Sequence, residues 1–262
     1  MFDFLIDTAD TQYIENKWQQ LDGIISGKNV SGITTNPNAF FKTNDFTVQQ
    51  WRSKSLQLCS LIRQIRGDTD GTLHVQFPNS NLTEELFVKW IQTVESFTNG
   101  DAKLAIKIPP FKKALEIATK HKGIYDLNVT GISDAGTAIF ALSHDIKYAS
   151  IIPGRMEEVG IDAKSHVSYA VNSNKGSKKI ITGSMRTLEG FKWCVEYGTL
   201  PTIGTRVLDL IDTTNAADLL EWKASATEVT NFMPLTTETN HSLSIQFFEQ
   251  MDSMGLKAYE CL

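Results

Sequence analysis

Over the first two hundred residues, short apolar runs with strand-like alternation are followed by longer stretches whose apolar positions recur at helical spacing. The strand-like runs are FDFLID (2–7), VSGITT (30–35), TLHVQF (72–77), KLAIKI (103–108), IYDLNV (124–129), KYASII (147–152), KKIITG (178–183) and LPTIGT (200–205). The stretches between them have helical periodicity; NLTEELFVKWIQTVESF (81–97), for example, opens on an Asn or Thr suited to capping a helix. Eight strands alternating with helices predict an α/β chain, a parallel sheet closed as a single (β/α)8 TIM barrel. The rival, an open doubly wound sheet, normally carries a glycine-rich phosphate turn after its first strand, and LIDTADTQ (5–12) has no glycine there.

Beyond about residue 206 the strand pattern stops. NAADLLEWKASATEVTNF (215–232) and HSLSIQFFEQMDSMGLKAYECL (241–262) read as helices, joined by the polar MPLTTETN (233–240). In the last of them Leu243, Phe247, Phe248, Met251 and Met254 approximate one face. The expected organisation is a catalytic barrel over residues 1–210 and a C-terminal helical extension over 211–262. That extension packs on its own barrel or on a neighbouring subunit, and a homo-oligomer is expected.

In such barrels the active groups stand at the C-terminal ends of the strands and in the loops after them. Polar residues at those ends are Asp7, Asn36, Gln76, Lys107, Asn128 with Thr130, Ser150 with Arg155, and Ser184 with Arg186. Seven consecutive strands each contribute to this rim, which implies a polar pocket. Strand alternation then orients the side chains. Leu104, Ile106 and Ile108 share the face suited to the helix layer, so Lys103, Ala105 and Lys107 point inward, with the small Ala105 leaving room beneath Lys107. By the same rule Asp7, Asn128, Gln76 and His74 point into the barrel; His74 either fills a polar layer or contributes beyond that. An inward lysine is either a structural cation paired with a carboxylate or an amine whose pKa is lowered enough to attack a carbonyl. Schiff-base chemistry needs an amine, an acid/base carboxylate and polar groups for water and hydroxyls, and all are present on this rim.

Composition narrows the class. A formal charge of -5 argues against a general nucleic-acid or membrane surface. Cys59, Cys194 and Cys261 are widely spaced without a CxxC pair, which favours reduced thiols in a cytoplasmic protein. The five histidines lack metal-ligand spacing, and MFDFLIDTAD (1–10) is too acidic for a signal peptide. No metal and no cofactor are expected.

FLIDTAD, GITTNP, AIKIP, NVT, YASIIPGRMEEVGID and GSMR, in this order and spacing, resemble the transaldolase family, including the closely similar fructose-6-phosphate aldolases. The likeness runs from residue 1 to about 210. It implies a circularly permuted barrel of the class I aldolase type, acting on sugar phosphates without a metal in the pentose phosphate pathway. It further implies Lys107 as the Schiff-base lysine and Asp7 as the carboxylate that moves the C4 hydroxyl proton. Thr35, Asn36, Asn128 and Ser150 would contact substrate, Asn36 and Asn128 holding its hydroxyls, and Gln76 and Thr130 would position the catalytic water. Arg155, Ser184 and Arg186 would bind the sugar phosphate. Transaldolases usually have Glu where this chain has Gln76, as the aldolases do, and an aromatic residue where it has Ile152. Ser133 and Thr137 stand where the family usually has an aromatic and a Gln. Ile152 lacks a hydroxyl to help place water, so transfer of a dihydroxyacetone unit to an aldose phosphate is the expected reaction. The alternatives are aldol cleavage releasing free dihydroxyacetone, or a barrel that binds sugar phosphates without turning them over.

Overall fold

A computed structural model describes residues 2–40, 47–77, 81–174, 179–212, 214–219, 221–225 and 233–259. All eight strand-like runs form parallel strands: β1 (Phe4–Asp7), β2 (Val30–Thr34), β3 (Thr72–Gln76), β4 (Lys103–Ile108), β5 (Asp126–Ile132), β6 (Tyr148–Ile151), β7 (Lys179–Thr182) and β8 (Leu200–Gly204). They pair in sequence order, and β8 closes on β1, giving a (β/α)8 barrel. Lys178, the first residue of the expected seventh strand, lies outside the described residues.

Alternation sorts the side chains into two cores. Ile6, Ile33, Leu73, Val75, Ile106 and Leu127 face the helices and belong to one large buried layer. Leu5, Ala105, Tyr148, Ile181 and Leu200 form a small separate cluster inside the barrel. The inner plug is thin, and the polar residues occupy the space above it. Helix starts follow their capping residues. Thr83 accepts from the backbone N–H of Leu86 to open the helix Glu84–Glu95, and Thr47 forms a reciprocal capping box with Gln50 at the head of Val48–Arg66.

Two expectations for the C-terminal part change. Among the described residues of the stretch expected to be helix over 215–232, only Ala216–Leu219 is helical; residues 222–225 have no regular structure, and 220 and 226–232 lie outside the described residues. Lys223, Ala224 and Ser225 offer no large apolar side chain to hold a helix against the barrel. The final helix starts earlier than expected, at Glu238, and runs to Tyr259. Its N-terminal half packs on the barrel of the same chain. Asn240 Nδ2 donates to Ser133 O, Ser133 Oγ and Ser244 Oγ lie 2.7 Å apart, and Ser244 Oγ donates to Gly131 O at 2.9 Å. Gly131 has φ +73°, and a Cβ there would lie 2.6 Å from Phe248. Leu243, Phe247 and Phe248 are buried, whereas the side chains of Met251 and Met254 lie outside those described.

Candidate active site

The strand ends, the loops after them and Phe247 of the final helix enclose a cavity of about 290 Å³ at the C-terminal mouth of the barrel. That is near the lower end of the ~300–1,000 Å³ usual for small-molecule sites. Asp7, Asn36, Lys107, Thr130, Ser150, Arg155, Ser184 and Arg186, all singled out by their strand-end positions, line it.

Lys107 is buried, and its Nζ donates to Thr34 Oγ1 at 3.1 Å and to the Thr35 carbonyl at 2.8 Å. Burial brings the amine down to about 8, opposed by the attraction of Asp7. Asp7 stands on β1, with β2 and β3 between it and the lysine strand, and it is half-buried where it lines the cavity. Desolvation raises it above the ordinary carboxylate range against the pull of Lys107 and Arg186. The cavity therefore holds an amine that is partly neutral near neutral pH and a carboxyl with enhanced affinity for a proton.

The arginine wall depends on a close backbone approach. The segment Pro153–Glu158 begins directly after β6, with Ile152 before it and Pro153 at its first position. A Cβ on Gly154 would lie 1.8 Å from Ser184 O, so only glycine lets this segment press against the loop after β7. Ser184 itself adopts φ 61°, in the left-handed region uncommon for a residue with a side chain. Arg155 is half-buried, donates to Gln250 Oε1 at 3.0 Å and lies with its Cζ 5.0 Å from the Phe247 ring centroid. Burial, and then the charge of Arg186, weaken its hold on its proton. Arg186 Nε donates to Glu158 at 2.7 Å while still lining the cavity. Two guanidiniums that repel one another across one wall are stabilised by an anion between them.

Three expected site residues stand behind the wall. Thr35 is fully buried and does not line the cavity; its hydroxyl donates to His74 O at 2.9 Å and its carbonyl holds Lys107. Asn128, next to Lys107 in the β4–β5 register, is committed to His74 Nδ1 at 3.1 Å and to Ser150 Oγ at 2.8 Å. Gln76, opposite Lys107 in the β3–β4 register, is buried below the cavity surface. Thr35 follows the cavity-lining Thr34, so alternation itself turns its side chain to the other face, whereas Gln76 and Asn128 point inward but below the cavity surface, because alternation gives direction and not depth. Asn36 does line the cavity, although its Oδ1 is occupied with the N–H of Ala39 at 3.0 Å.

No protein-family model matches this chain, and no curated protein matches its sequence. Among solved structures it is similar to thiamine phosphate pyrophosphorylase from Pyrococcus furiosus, with 9% identity and a TM-score of 0.54 over 95% of this chain and 96% of that one. The likeness shows the barrel fold alone.

The cavity also contains residues not identified from the sequence. Thr34 rather than Thr35 offers its hydroxyl to the amine. Arg206, immediately after β8 and two residues beyond the register partner of Asp7, adds a third guanidinium. It is exposed, and among the described residues it forms no ion pair. The strand-end rule that picks out Lys107 applies equally to GTR after the eighth strand. Phe247 had no local signal, because only the return of the final helix brings it to the mouth. No group of three or more potential metal ligands occurs among the described residues.

Proposed function

We propose that this chain is a transaldolase working through a Schiff base on Lys107. The observation that carries the reading is a buried amine with a lowered pKa that shares its cavity with Asp7 and a wall of arginines. The neutral amine adds to the C2 ketone of a ketose phosphate such as fructose 6-phosphate or sedoheptulose 7-phosphate, and loss of water gives an iminium ion. Its positive nitrogen accepts the electron pair of the C3–C4 bond as that bond breaks, while Asp7 takes the proton of the C4 hydroxyl. An aldose phosphate leaves and a three-carbon enamine stays on Lys107. An acceptor aldose phosphate then takes the enamine by the reverse steps, with Asp7 returning the proton. The phosphate rests against Arg155, Ser184 and Arg186, with Arg206 adding a further cation from the loop after β8.

Transfer is favoured over hydrolytic release because Ile152 presents hydrocarbon to the cavity and Gln76 stands behind its surface. The alternative in which the enamine is protonated and free dihydroxyacetone released is distinguished by assay without acceptor. Release as fast as acceptor-driven turnover would overturn the transferase reading. Borohydride reduction in the presence of fructose 6-phosphate tests the chemistry itself, with a three-carbon or hexose-phosphate adduct expected at Lys107. A folded protein that gives no adduct would leave only a sugar-phosphate-binding barrel. We further propose that the enzyme is cytoplasmic and homo-oligomeric, the first in keeping with the free buried thiols of Cys59 and Cys194. Light scattering in solution checks the second. No described helix is long and apolar enough to cross a membrane.

A further inference from the structure

His74 lies two residues before Gln76 on β3, buried inside the barrel. The ring meets Tyr148 edge-on at 5.0 Å between centroids, and its Nδ1 stands 3.1 Å from Asn128 Nδ2. Asn128 Oδ1 in turn accepts from Ser150 Oγ at 2.8 Å, and Ser150 lines the catalytic cavity. Three side chains from β3, β5 and β6 thus form a hydrogen-bonded run from the barrel interior to the cavity wall.

The middle member gives this run a polarity. An amide has a donor end and an acceptor end, so whatever meets one end dictates what the other offers. With Nδ2 facing the ring, Nδ1 must be an unprotonated acceptor and the neutral imidazole carries its proton on Nε2. Asn128 Oδ1 then takes the single proton of Ser150, whose oxygen has only lone pairs left for the cavity. An imidazolium would have two donors; it would turn the amide over and reverse what Ser150 presents. Burial and the charges of Lys107 and Lys147 bring the ring down to about 3, so the neutral form prevails. On its other side His74 borders a separate cavity of about 200 Å³ at the N-terminal end of the barrel, which gives an Nε2–H room for a water partner.

We propose that His74 is a positioning residue. By accepting from Asn128 it fixes that amide, so that Ser150 faces the substrate as a hydrogen-bond acceptor for a hydroxyl next to the imine carbon. The consequence for substrate rests on the Schiff-base reading; the polarity of the run does not.

The two parts are tested separately. Nitrogen-15 NMR of the histidine rings in the substrate-free wild-type protein should show His74 with a lone pair on Nδ1 and a proton on Nε2, unchanged between pH 5 and 9. An Nδ1-protonated or titrating His74 would overturn the proposal whatever the enzyme does. In turnover with fructose 6-phosphate, His74→Phe keeps the ring volume but removes the acceptor. It should lower kcat by ~10- to ~100-fold, the scale of a misplaced contact, with KM little changed because the arginine wall is untouched. His74→Gln, which restores an acceptor, should recover most of the loss. In a Ser150→Ala background His74→Phe should cost nothing more. Equal losses in both backgrounds, or a rise in KM matching the fall in kcat, would sink the positioning role. If His74→Phe does not fold, the glutamine variant and the ring tautomer decide. If the wild-type protein gives no borohydride adduct, it is the Schiff-base reading that fails, and the tautomer still decides the orientation of Asn128.

Discussion

At the scale of single residues, the site depends on where charge is desolvated. Lys107 is held by a hydroxyl and a carbonyl, neither of which carries a full charge, so burial outweighs the attraction of Asp7 and the amine comes down to about 8. Below that value the neutral fraction grows about tenfold per pH unit. Borohydride trapping at Lys107 should therefore accelerate from pH 6 to 8 and level off above; a rate flat across this range would show that proton loss from the amine does not limit imine formation. Lys107→Ala should lower transfer by roughly a thousand-fold or more, and a variant that still exchanged the three-carbon unit would refute the nucleophile. Arg206 gives a complementary prediction. A charge-assisted contact to phosphate is worth about 1.5–3 kcal/mol, so Arg206→Ala should raise KM for fructose 6-phosphate roughly ten-fold or more. Adduct formation with unphosphorylated dihydroxyacetone should be preserved, and equal loss with both substrates would deny Arg206 a phosphate role.

At the scale of elements, the final helix is the least local feature of the site. It meets the end of β5 through Asn240, Ser244, Phe247 and Phe248, and its Phe247 closes one side of the cavity. Ser133 stands where the family resemblance leads one to expect an aromatic residue, and its small side chain is what lets Asn240 and Ser244 come close. Gly131→Ala would combine a strained positive φ with a collision against Phe247 and Phe248. The expected cost is about 1–3 kcal/mol, seen as a lower denaturation midpoint, together with faster proteolysis after residue 232. Ser244→Ala, which removes a buried hydroxyl bonded to Gly131 O, should cost about 1–2 kcal/mol in the same measurement. Unchanged stability in both variants would mean the helix is not anchored by this contact.

At the scale of the molecule, the cavity gathers Lys107, Arg155, Arg186 and Arg206 against Asp7, the one carboxylate lining it among the described residues. In a chain whose formal charge is -5, that is a local reversal of sign, which a bound anion would relieve. Inorganic phosphate at about a hundredfold its dissociation constant should stabilise the fold by about 2.7 kcal/mol. The shift in Tm should be lost in Arg155→Ala; if that variant responds like wild type, the phosphate binds elsewhere. Lys107 also links folding to pH. Its folded value of about 8 lies below its ordinary 10.5, so the unfolded chain holds more protons between those values. The Lys107 contribution to stability therefore rises with pH in that window, and Lys107→Met should lack that part of the rise.

What the sequence determined by itself was the barrel and the direction of its strand residues. A period of two identifies which side chains face inward, and capping residues such as Thr83 mark where a helix starts; both are local properties. With the rule that active groups stand in the loops after the strands, that sufficed to single out Lys107, Asp7, Thr130, Ser150, Arg155, Ser184 and Arg186, which line one cavity. Only the tertiary structure decided depth, because the stagger between neighbouring strands and the thickness of the inner plug are properties of the closed sheet. Those are why Gln76 and Asn128 lie behind the wall, and why the His74 ring meets the Asn128 amide; Thr35, one place past the inward Thr34, is turned away by alternation alone. The tertiary structure likewise brought Phe247 to the mouth, 140 positions beyond Lys107 along the chain (247 − 107), a contact for which no periodicity leaves a trace.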